Sequence, residues 1–597
     1  MKNKQSSKTL IGKTGKDLLT LVESKSKHSG NVDFAAPSGD TEIALFNFWN
    51  SLLGNKNFGV NEDFFQIGGN SLKAIQLLSR IYSEFSVQLE PADVFLKPTI
   101  SQLAALIDSR NKTTALPSVL KTHKDSDKVP LSFSQERLWF TDHVDGSLPY
   151  HVSAVLRLKG NLNISALENS IQTVVNRHEI LRTVILEEEG HAYQIVKEKN
   201  KWRLTVADDP LLKENNESLQ SYIQQLINKP FDLSNDDMLR AAIISLDINE
   251  HILVLTMHHI SSDALSLSIL VGEVTKFYEK YEKGLKVEIT EPELQYSDYA
   301  IWQRKNLTGE TFDKKLNYWK EKLNNTEPLQ LPSDFNRPAV RSTKGAITYF
   351  SIDKKLTDGL EHLSRENGST LFMTLQTTFK ILLYRYSRQE DICVGTSIAN
   401  RTKQEVEGLI GFFVNTLALR NEVKGDISFT ELLRQVKAPT LEAFENQEIP
   451  FDKVVDSVVK ERDPGISPLF QVMLVMQFLP DISKFRLGKV KMFKEKFDQH
   501  SSKFDFTFFI TETAKGLSGS VEYSTDLYKE ETINRMVLHF TELLGSIIKD
   551  PDQPVGQINM LSKSEEKKFL AELNKVRVRY PEKSVVDLFE KQVLKTP

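Results

Sequence analysis

The chain has 597 residues, of which 40% are hydrophobic and 26% are charged, a composition typical of globular proteins. Because single hydrophobic cores stop growing at roughly 250–300 residues, a chain of this length is expected to form several domains. A formal net charge of -4 offers no basic surface for nucleic acid, so we predict no nucleic-acid partner.

The one cysteine, Cys393, excludes an internal disulfide framework and favours a reducing, cytoplasmic location. It lies in an apolar run typical of a strand, which indicates a core residue rather than a nucleophile. The first residues contain no apolar run of signal-peptide length. No stretch approaches the roughly 18 apolar residues that a membrane-spanning helix requires, so no membrane partner is expected.

The first two predicted units are a linker and a small helical domain. Residues 1–38 are rich in lysine, serine and glycine and are predicted to be a linker. Residues 39–110 are predicted to form a domain of about four helices, because apolar residues recur there at helical spacing. A second polar stretch, 111–129, is predicted to link this domain to the rest of the chain.

The remainder of the chain alternates between strand-like and helical runs, which indicates an α/β or α+β module. Because about 430 residues exceed the size of one core, we expect two lobes. The N-terminal lobe is predicted over 130–300 and the C-terminal lobe over 301–562. Residues 563–597 are predicted to contain a helix, an extended piece and the start of another helix.

Ser71 lies in the sequence DFFQIGGNSL, at the start of a predicted helix. Gly68 and Gly69 allow a tight turn, and Asn70 and Ser71 stand where a helix N-cap would be. Free amides and the positive end of the helix dipole favour an attached phosphate at such a position. Taken alone, the pattern is more typical of a serine that only caps the helix.

This region resembles the thiolation domain, or peptidyl carrier protein, of non-ribosomal peptide synthetases. In that family the serine of a G-G-x-S-L motif carries 4'-phosphopantetheine. The resemblance implies that Ser71 bears this group covalently, after modification by a phosphopantetheinyl transferase. Asn70 replaces the Asp or His common before the serine. An Asp there often accompanies polyketide or epimerising partners, so Asn70 argues weakly against those.

Two adjacent histidines, His258 and His259, end the apolar run HILVLTMHH, which is predicted to be a strand. Because neighbours on a strand face opposite sides, the two imidazoles cannot both face one site, which argues against a metal pair. Asp263, on the following turn, could accept a hydrogen bond that fixes the loop and the imidazole. Taken alone, such a pair is more often structural than catalytic.

The spacing resembles the H-H-x-x-x-D-G motif of condensation domains and of chloramphenicol acetyltransferase-like acyltransferases. Further segments similar to this family follow in the expected order over 130–560. They are LSFSQERLWF (131–140), RHEILRTVI (177–185), YSDYAIWQR (296–304), IGFFVNTLALR (410–420), NQEIPFDKVV (446–455) and RDPGISPLFQVM (462–473). The resemblance implies a two-lobed α/β fold like that of chloramphenicol acetyltransferase.

The resemblance also implies roles for single residues. His259 would be the active-site histidine of a channel between the lobes, and His258 and Asp263 would be mainly structural. In the family the aspartate pairs with a distant arginine, for which Arg401 in GTSIANR is the candidate. The F-V-N-T segment around Asn415 is expected near the channel.

Ala264 stands where the family motif has glycine. If the glycine provides a positive φ or a close approach to substrate, an alanine costs about 1 kcal/mol or more. If it does not, the change is mild. We expect activity to survive the substitution.

The implied reaction is attack of an acceptor aminoacyl amine on a donor acyl or peptidyl thioester, which forms an amide bond. A neutral imidazole could accept a proton or orient the amine, and the sequence leaves both roles open. A carrier placed before a condensation domain normally delivers the donor. Residues 563–597 resemble the linker and first helix of an adenylation domain. Adenylation and carrier domains of the same or neighbouring modules are therefore the expected partners.

Two other functions remain open at this level. An epimerisation domain also follows a carrier and keeps H-H-x-x-x-D, but Asn70 and the adenylation-like tail favour condensation. A non-catalytic recruitment platform descended from condensation domains usually loses the second histidine, and His259 is present. SFSQERLWF and RHEILRT resemble the subtype that accepts L-configured donors.

Overall fold

In a computed structural model, the described residues are 35–54, 57–110, 121, 128–477, 482, 485–495, 497, 501–573 and 583–596. Most of the two predicted linkers, 1–38 and 111–129, lies outside these ranges. Within the described part of the chain, no helix is long and apolar enough to cross a membrane.

The first domain is helical, as predicted. It consists of α1 (Asp40–Leu53), α2 (Ser71–Phe85), α3 (Pro91–Leu96) and α4 (Ile100–Ser109). The apolar faces of these helices enclose a core that contains Trp49 and Phe64, both fully buried, with ring centroids 5.0 Å apart. Such aromatic pairs contribute large buried areas, which a domain of this size needs for stability.

The second domain is α/β, also as predicted, and contains mixed sheets. Its strands are β1 (Val129–Pro130), β2 (His151–Lys159), β3 (Thr183–Glu188), β4 (His191–Val196), β5 (Thr205–Ala207), β6 (Leu239–Asp247), β7 (Glu250–His258), β8 (Gly345–Asp353), β9 (Asp391–Ile398), β10 (Asn415–Glu422), β11 (Val472–Gln477), β12 (Arg486–Leu487), β13 (Val490–Lys494), β14 (Phe506–Thr513) and β15 (Gly516–Ser524).

The helices of this domain alternate with the strands. They are α5 (Phe133–Asp145), α6 (Ile164–Arg177), α7 (Pro210–Glu214), α8 (Asn216–Ile227), α9 (Ala264–Glu282), α10 (Tyr296–Asn306), α11 (Gly309–Leu323), α12 (Lys354–Glu366), α13 (Leu371–Ser387), α14 (Phe429–Glu445), α15 (Phe451–Val458) and α16 (Glu530–Lys549). Two further helices, α17 (Lys563–Leu573) and α18 (Val585–Lys595), lie in the C-terminal segment.

Two six-stranded sheets organise the two lobes. The N-terminal sheet has the order β12-β13-β2-β7-β6-β5, and the C-terminal sheet has the order β10-β9-β11-β14-β15-β8. A smaller sheet has the order β1-β4-β3. The hairpin β12–β13 comes from the 301–562 range but extends the N-terminal sheet, with Lys491 opposite Lys159. The predicted division at residue 300 therefore misses one crossover between the lobes.

Each lobe has its own core. In the C-terminal lobe, α13 is buried on all sides from Leu371 to Leu383, as expected for a helix packed between a sheet and other helices. Cys393 belongs to the same core, and burial raises the pKa of its thiol to about 12. A thiol in this environment is protonated and unreactive at neutral pH, which agrees with a core residue.

Candidate active site

The histidine motif lies where β7 ends and α9 begins. A short 3-10 turn, His259–Ser261, follows the strand, and Asp263 caps α9 by accepting a hydrogen bond from the Ser266 amide at 2.8 Å. His258 is completely buried, whereas His259 lines a cavity of about 1320 Å³. The two imidazoles therefore have different environments.

His258 packs inside the N-terminal lobe. Its ring lies against those of Phe231 and Tyr150, with centroids 5.7 and 6.3 Å away. Its Nδ1 accepts a hydrogen bond from the Ile260 amide at 3.2 Å, and its Nε2 lies 3.4 Å from the carboxylate of Asp142. Burial lowers the pKa of His258, so the ring is neutral. These contacts hold the turn that presents the next residue.

The imidazole of His259 is held in one tautomer. Its Nδ1–H donates to the carbonyl oxygen of Ser262 at 2.6 Å, which leaves Nε2 as the acceptor nitrogen. Its ring meets Phe412 edge to face, with centroids 4.8 Å apart. Burial, and then the nearby Lys503 ammonium, lower the pKa of His259 to about 4. The ring is consequently uncharged at neutral pH.

Lys503 is a cavity residue that no sequence pattern indicated. Its Nζ lies 4.7 Å from the centroid of the Tyr150 ring, and burial lowers its pKa to about 8. Its backbone N–H donates to Glu522, whose pKa is raised by burial. Lys503 lies just before β14, far from the histidines in sequence, so only the assembled fold reveals it.

Asp263 and Arg401 form a buried ion pair. The Arg401 Nη2 lies 3.1 and 3.2 Å from the two carboxylate oxygens of Asp263, and Arg401 and Asp263 are 3% and 1% exposed. The other terminal guanidinium nitrogen donates to the carbonyls of Val406 and Leu409 at 2.7 and 2.6 Å. Because loss of one partner would leave an uncompensated buried charge, this pair anchors the motif loop to the C-terminal lobe.

Asn415 lies next to the cavity wall but does not line the cavity. Its Nδ2 donates to the carbonyls of Gln447 and Ile449 at 2.8 and 2.7 Å, and its Oδ1 accepts from the Phe451 amide at 3.1 Å. Its two chain neighbours line the cavity. The side chain thus joins two chain segments beside the cavity.

Ala264 is the first residue of α9, and its side chain is exposed to the cavity. It is not among the described non-glycine residues with a positive φ. The backbone strain considered for an alanine at this position is therefore absent. The methyl group occupies space in the cavity.

Ser71 opens α2 after a turn that needs both glycines. Gly68 has a φ of 103°, and a Cβ at Gly69 would lie 2.3 Å from the ring of Phe64. The N-cap is Asn70, whose Oδ1 accepts from the Lys73 amide at 3.0 Å. The cap is thus supplied without the hydroxyl of Ser71.

The surroundings of Ser71 fit an attached phosphate ester. Its buried Oγ has no hydrogen-bond partner among the described residues, and it stands at the amide-bearing end of α2. Residues 68–71 line the same cavity as His259. An arm attached to this oxygen would therefore enter that cavity.

The helical domain lies against the C-terminal lobe. Phe95 of α3 joins the core of that lobe and stacks on Phe65, with centroids 4.4 Å apart. Arg80 of α2 forms an ion pair with Glu407 at 3.5 Å. These contacts fix the helical domain on the C-terminal lobe, with Ser71 beside the cavity.

A small helical domain with a serine in the cavity wall, joined to a two-lobed fold with a cavity histidine, is the arrangement of carrier-dependent acyl-transfer proteins. Residues 44–107 match the family model described as the phosphopantetheine attachment site, and residues 125–570 match the condensation domain. The chain belongs to the condensation domain family, with a phosphopantetheine attachment domain before it. The predicted family, fold class and cofactor are confirmed.

Relatives of known role match nearly the whole chain. A linear gramicidin synthase polypeptide of Brevibacillus parabrevis is 38% identical over 600 residues, which cover 99% of this chain and 8% of that protein. Bacitracin synthase 2 of Bacillus licheniformis is 34% identical over 596 residues, 99% of this chain and 22% of that protein. The chain thus spans only a small part of the length of these relatives.

Solved structures share the fold of the second domain. The X-domain from teicoplanin biosynthesis has a TM-score of 0.68 at 24% identity and covers 74% of this chain and 100% of its own. The first condensation domain of the calcium-dependent antibiotic synthetase, in complex with a substrate analogue, has a TM-score of 0.62 at 17% identity. It covers 73% of this chain and 100% of its own.

Proposed function

We propose that this chain forms an amide bond between a donor acyl or peptidyl group, delivered from Ser71, and the amine of an acceptor aminoacyl thioester. The observation that carries the proposal is that Ser71 and His259 line one cavity. The order of the domains supports the donor role of this carrier. The acceptor would come from another carrier domain of the same or a neighbouring module.

Ser71 provides the point of attachment. When bound there by a phosphopantetheinyl transferase, 4'-phosphopantetheine supplies a thiol that holds the donor as a thioester. The Gly68–Gly69 turn brings Ser71 to the cavity wall, and the first amides of α2 favour the negative phosphate. Tethering also raises the effective concentration of the donor at His259.

His259 orients the acceptor amine. Its Nε2 is the acceptor nitrogen, so it can take a hydrogen bond from an amine N–H and direct the lone pair toward the donor. A pKa of about 4 is far below the neutral range in which a general base works efficiently. Orientation and proximity are therefore proposed to supply most of the rate, with His258, Asp263 and Arg401 as structural support.

The cavity wall combines apolar and charged side chains. Apolar side chains from both lobes line the cavity, among them Val152, Leu255, Val271, Met473 and Phe509, and could hold the apolar parts of a donor group. We also propose the subtype that accepts L-configured donors, on the resemblance of SFSQERLWF and RHEILRT.

The test begins with mass spectrometry of the intact protein. Incubation with a phosphopantetheinyl transferase and CoA should add one arm to the wild type and none to Ser71→Ala. An acyl-loaded chain, mixed with an aminoacyl thioester, should then release its acyl group as an amide. Asn70→Asp is the matched control and should keep both steps.

Each alternative function gives a different result. Release of a donor with inverted configuration, without a new amide, would identify an epimerisation domain. A fully loaded chain that never transfers its acyl group to any carrier-bound acceptor would point to a recruitment platform. A preference for D-configured donors would contradict only the proposed subtype.

A further inference from the structure

One short segment of the C-terminal lobe contacts both the carrier and the histidine motif. We call Lys403–Phe413 the linking segment. At its outer end, the Glu407 carboxylate forms the ion pair with Arg80, and Lys403 Nζ lies 5.1 Å from the centroid of the Tyr82 ring. Both carrier residues belong to α2, the helix that Ser71 begins. Contacts at this end thus depend on the carrier being docked.

The inner end of the linking segment belongs to the reaction centre. Phe412 packs its ring against His259. The Gly411 amide donates to Ser266 Oγ at 3.1 Å, and the Phe413 amide donates to Asp263 at 3.3 Å. Three residues of this end therefore touch the histidine, the aspartate and the first turn of α9.

The middle of the linking segment is held in place by hydrogen bonds and close packing, so its two ends cannot move independently. Arg401 donates to the carbonyls of Val406 and Leu409 and binds Asp263 through its other nitrogen. At Gly411, a Cβ would lie 2.0 Å from the ring of Tyr296, so the backbone is tightly enclosed there. A shift of residues 406–409 would consequently disturb the hydrogen bonds that hold Asp263.

The charge at Glu407 makes the outer end sensitive to docking. Only 18% of its side chain is exposed, and its Oε1 has no hydrogen-bond partner among the described residues. Arg80 supplies the cation beside its other oxygen. This exposure applies to the docked state. When the carrier leaves, the carboxylate loses both that cation and its contact with α2, so the contacts that fix its position are lost.

We propose that Glu407 senses the docked carrier and that the linking segment transmits this state to His259, so that the reaction centre is fully ordered only while the carrier is docked. Glu407 and Arg80 are then positioning residues for the transfer reaction. The predicted effect on turnover rests on the proposed function. The structural coupling between Glu407 and His259 does not depend on it. Such coupling would limit side reactions of a bound acceptor while no donor carrier is docked.

Hydrogen exchange tests the coupling without any substrate. In full-length Arg80→Ala, we expect the amides of Gly411 and Phe413 to exchange about tenfold faster than in the wild type, a change within the usual range of coupling between sites. Arg110→Ala is the matched control, because it removes a carrier ion pair with Asp93 on the same domain. Exchange at these amides that is equal in all three proteins overturns the proposal.

A soluble donor separates coupling from simple docking. The unloaded chain is given an N-acetyl-aminoacyl pantetheine thioester and an aminoacyl N-acetylcysteamine thioester, so no carrier has to deliver anything. Coupling predicts that Arg80→Ala and Glu407→Gln lower kcat about fivefold with KM for the donor unchanged. An unchanged kcat, with an active wild type, shows that the ion pair serves docking alone and overturns the proposal.

Failure of the proposed function looks different. In that case the wild type forms no amide either from the soluble donor or from its own loaded carrier. The exchange measurement still decides on the coupling, since it needs no turnover.

Discussion

At His259, burial, a hydrogen bond and a neighbouring cation together define one chemical state. The Ser262 carbonyl selects the tautomer, and the Lys503 ammonium disfavours a positive charge on the ring. A neutral ring with a free acceptor nitrogen suits orientation of an amine better than removal of a proton. Burial is the larger cause of the low pKa of His259, and the charge of Lys503 adds to it.

The pH dependence of acyl transfer tests this state. Only neutral His259 can accept a hydrogen bond from the amine. The loss of transfer that is due to protonation of His259 should therefore occur as pH falls through about 4, not through the usual histidine pKa near 6.5. Replacing Lys503 with methionine removes a cation and should raise the pKa of His259. The rate of Lys503→Met relative to wild type, measured in single turnovers, should therefore fall as the pH is lowered toward about 4.

The ratio of the Lys503→Met rate to the wild-type rate is needed because the acceptor amine also titrates, with an α-amino pKa of about 7.7–8.0. That titration affects both proteins equally and cancels in the ratio. Lys503→Arg keeps the charge and serves as the control. A rate ratio that stays the same down to about pH 4, where wild-type His259 titrates, would show that Lys503 has no influence on His259.

At the scale of secondary-structure elements, the site depends on the meeting of β7, α9 and the linking segment. Tyr296 at the start of α10 closes this junction. Its hydroxyl donates to the Phe412 carbonyl at 2.6 Å and lies 2.8 Å from Ser132 Oγ. The ring occupies the space that a side chain at position 411 would need, which explains the glycine in IGFFVNT.

Gly411→Ala should therefore be destabilising. The added methyl must displace the Tyr296 ring, and overpacking of this kind costs typically ~1–3 kcal/mol of unfolding free energy. We expect a lower midpoint of urea unfolding for the condensation domain, followed by tryptophan fluorescence. Gly408→Ala is the control in the same segment, because a Cβ there meets nothing within 4 Å. Equal midpoints for the two variants would contradict the packing at Tyr296.

Sequence patterns predicted the elements far better than the contacts between them. Apolar periodicity indicated the helical domain and the strand that ends at His258, because it reports which face of an element is buried. It carries no information on which sheet a strand joins, so it does not reveal that the hairpin β12–β13 extends the N-terminal sheet. Lys503 and Glu407 were missed for the same reason, since each acts through residues distant in sequence. The motif resemblance pointed to Arg401, which the fold brings to Asp263.

At the scale of the whole molecule, two domains share one cavity. The carrier closes against the C-terminal lobe, and the linking segment continues from that interface to the histidine motif. Such an arrangement favours reaction within one chain over exchange between chains. At micromolar protein, a tether gives an effective concentration roughly a thousandfold higher than that of a separate carrier.

The most direct test of the central claim, that Ser71 and His259 of one chain serve the same reaction, is a mixing experiment. Loaded His259→Ala is combined with unloaded Ser71→Ala, and amide formation with a soluble aminoacyl thioester is followed in time. Loaded wild type at the same concentration is the reference, and its first-order rate constant should not change on dilution. We expect the mixture to react about a hundredfold or more slowly than the wild type. A mixture that reacts as fast as the wild type would contradict delivery from Ser71 to His259 within one chain.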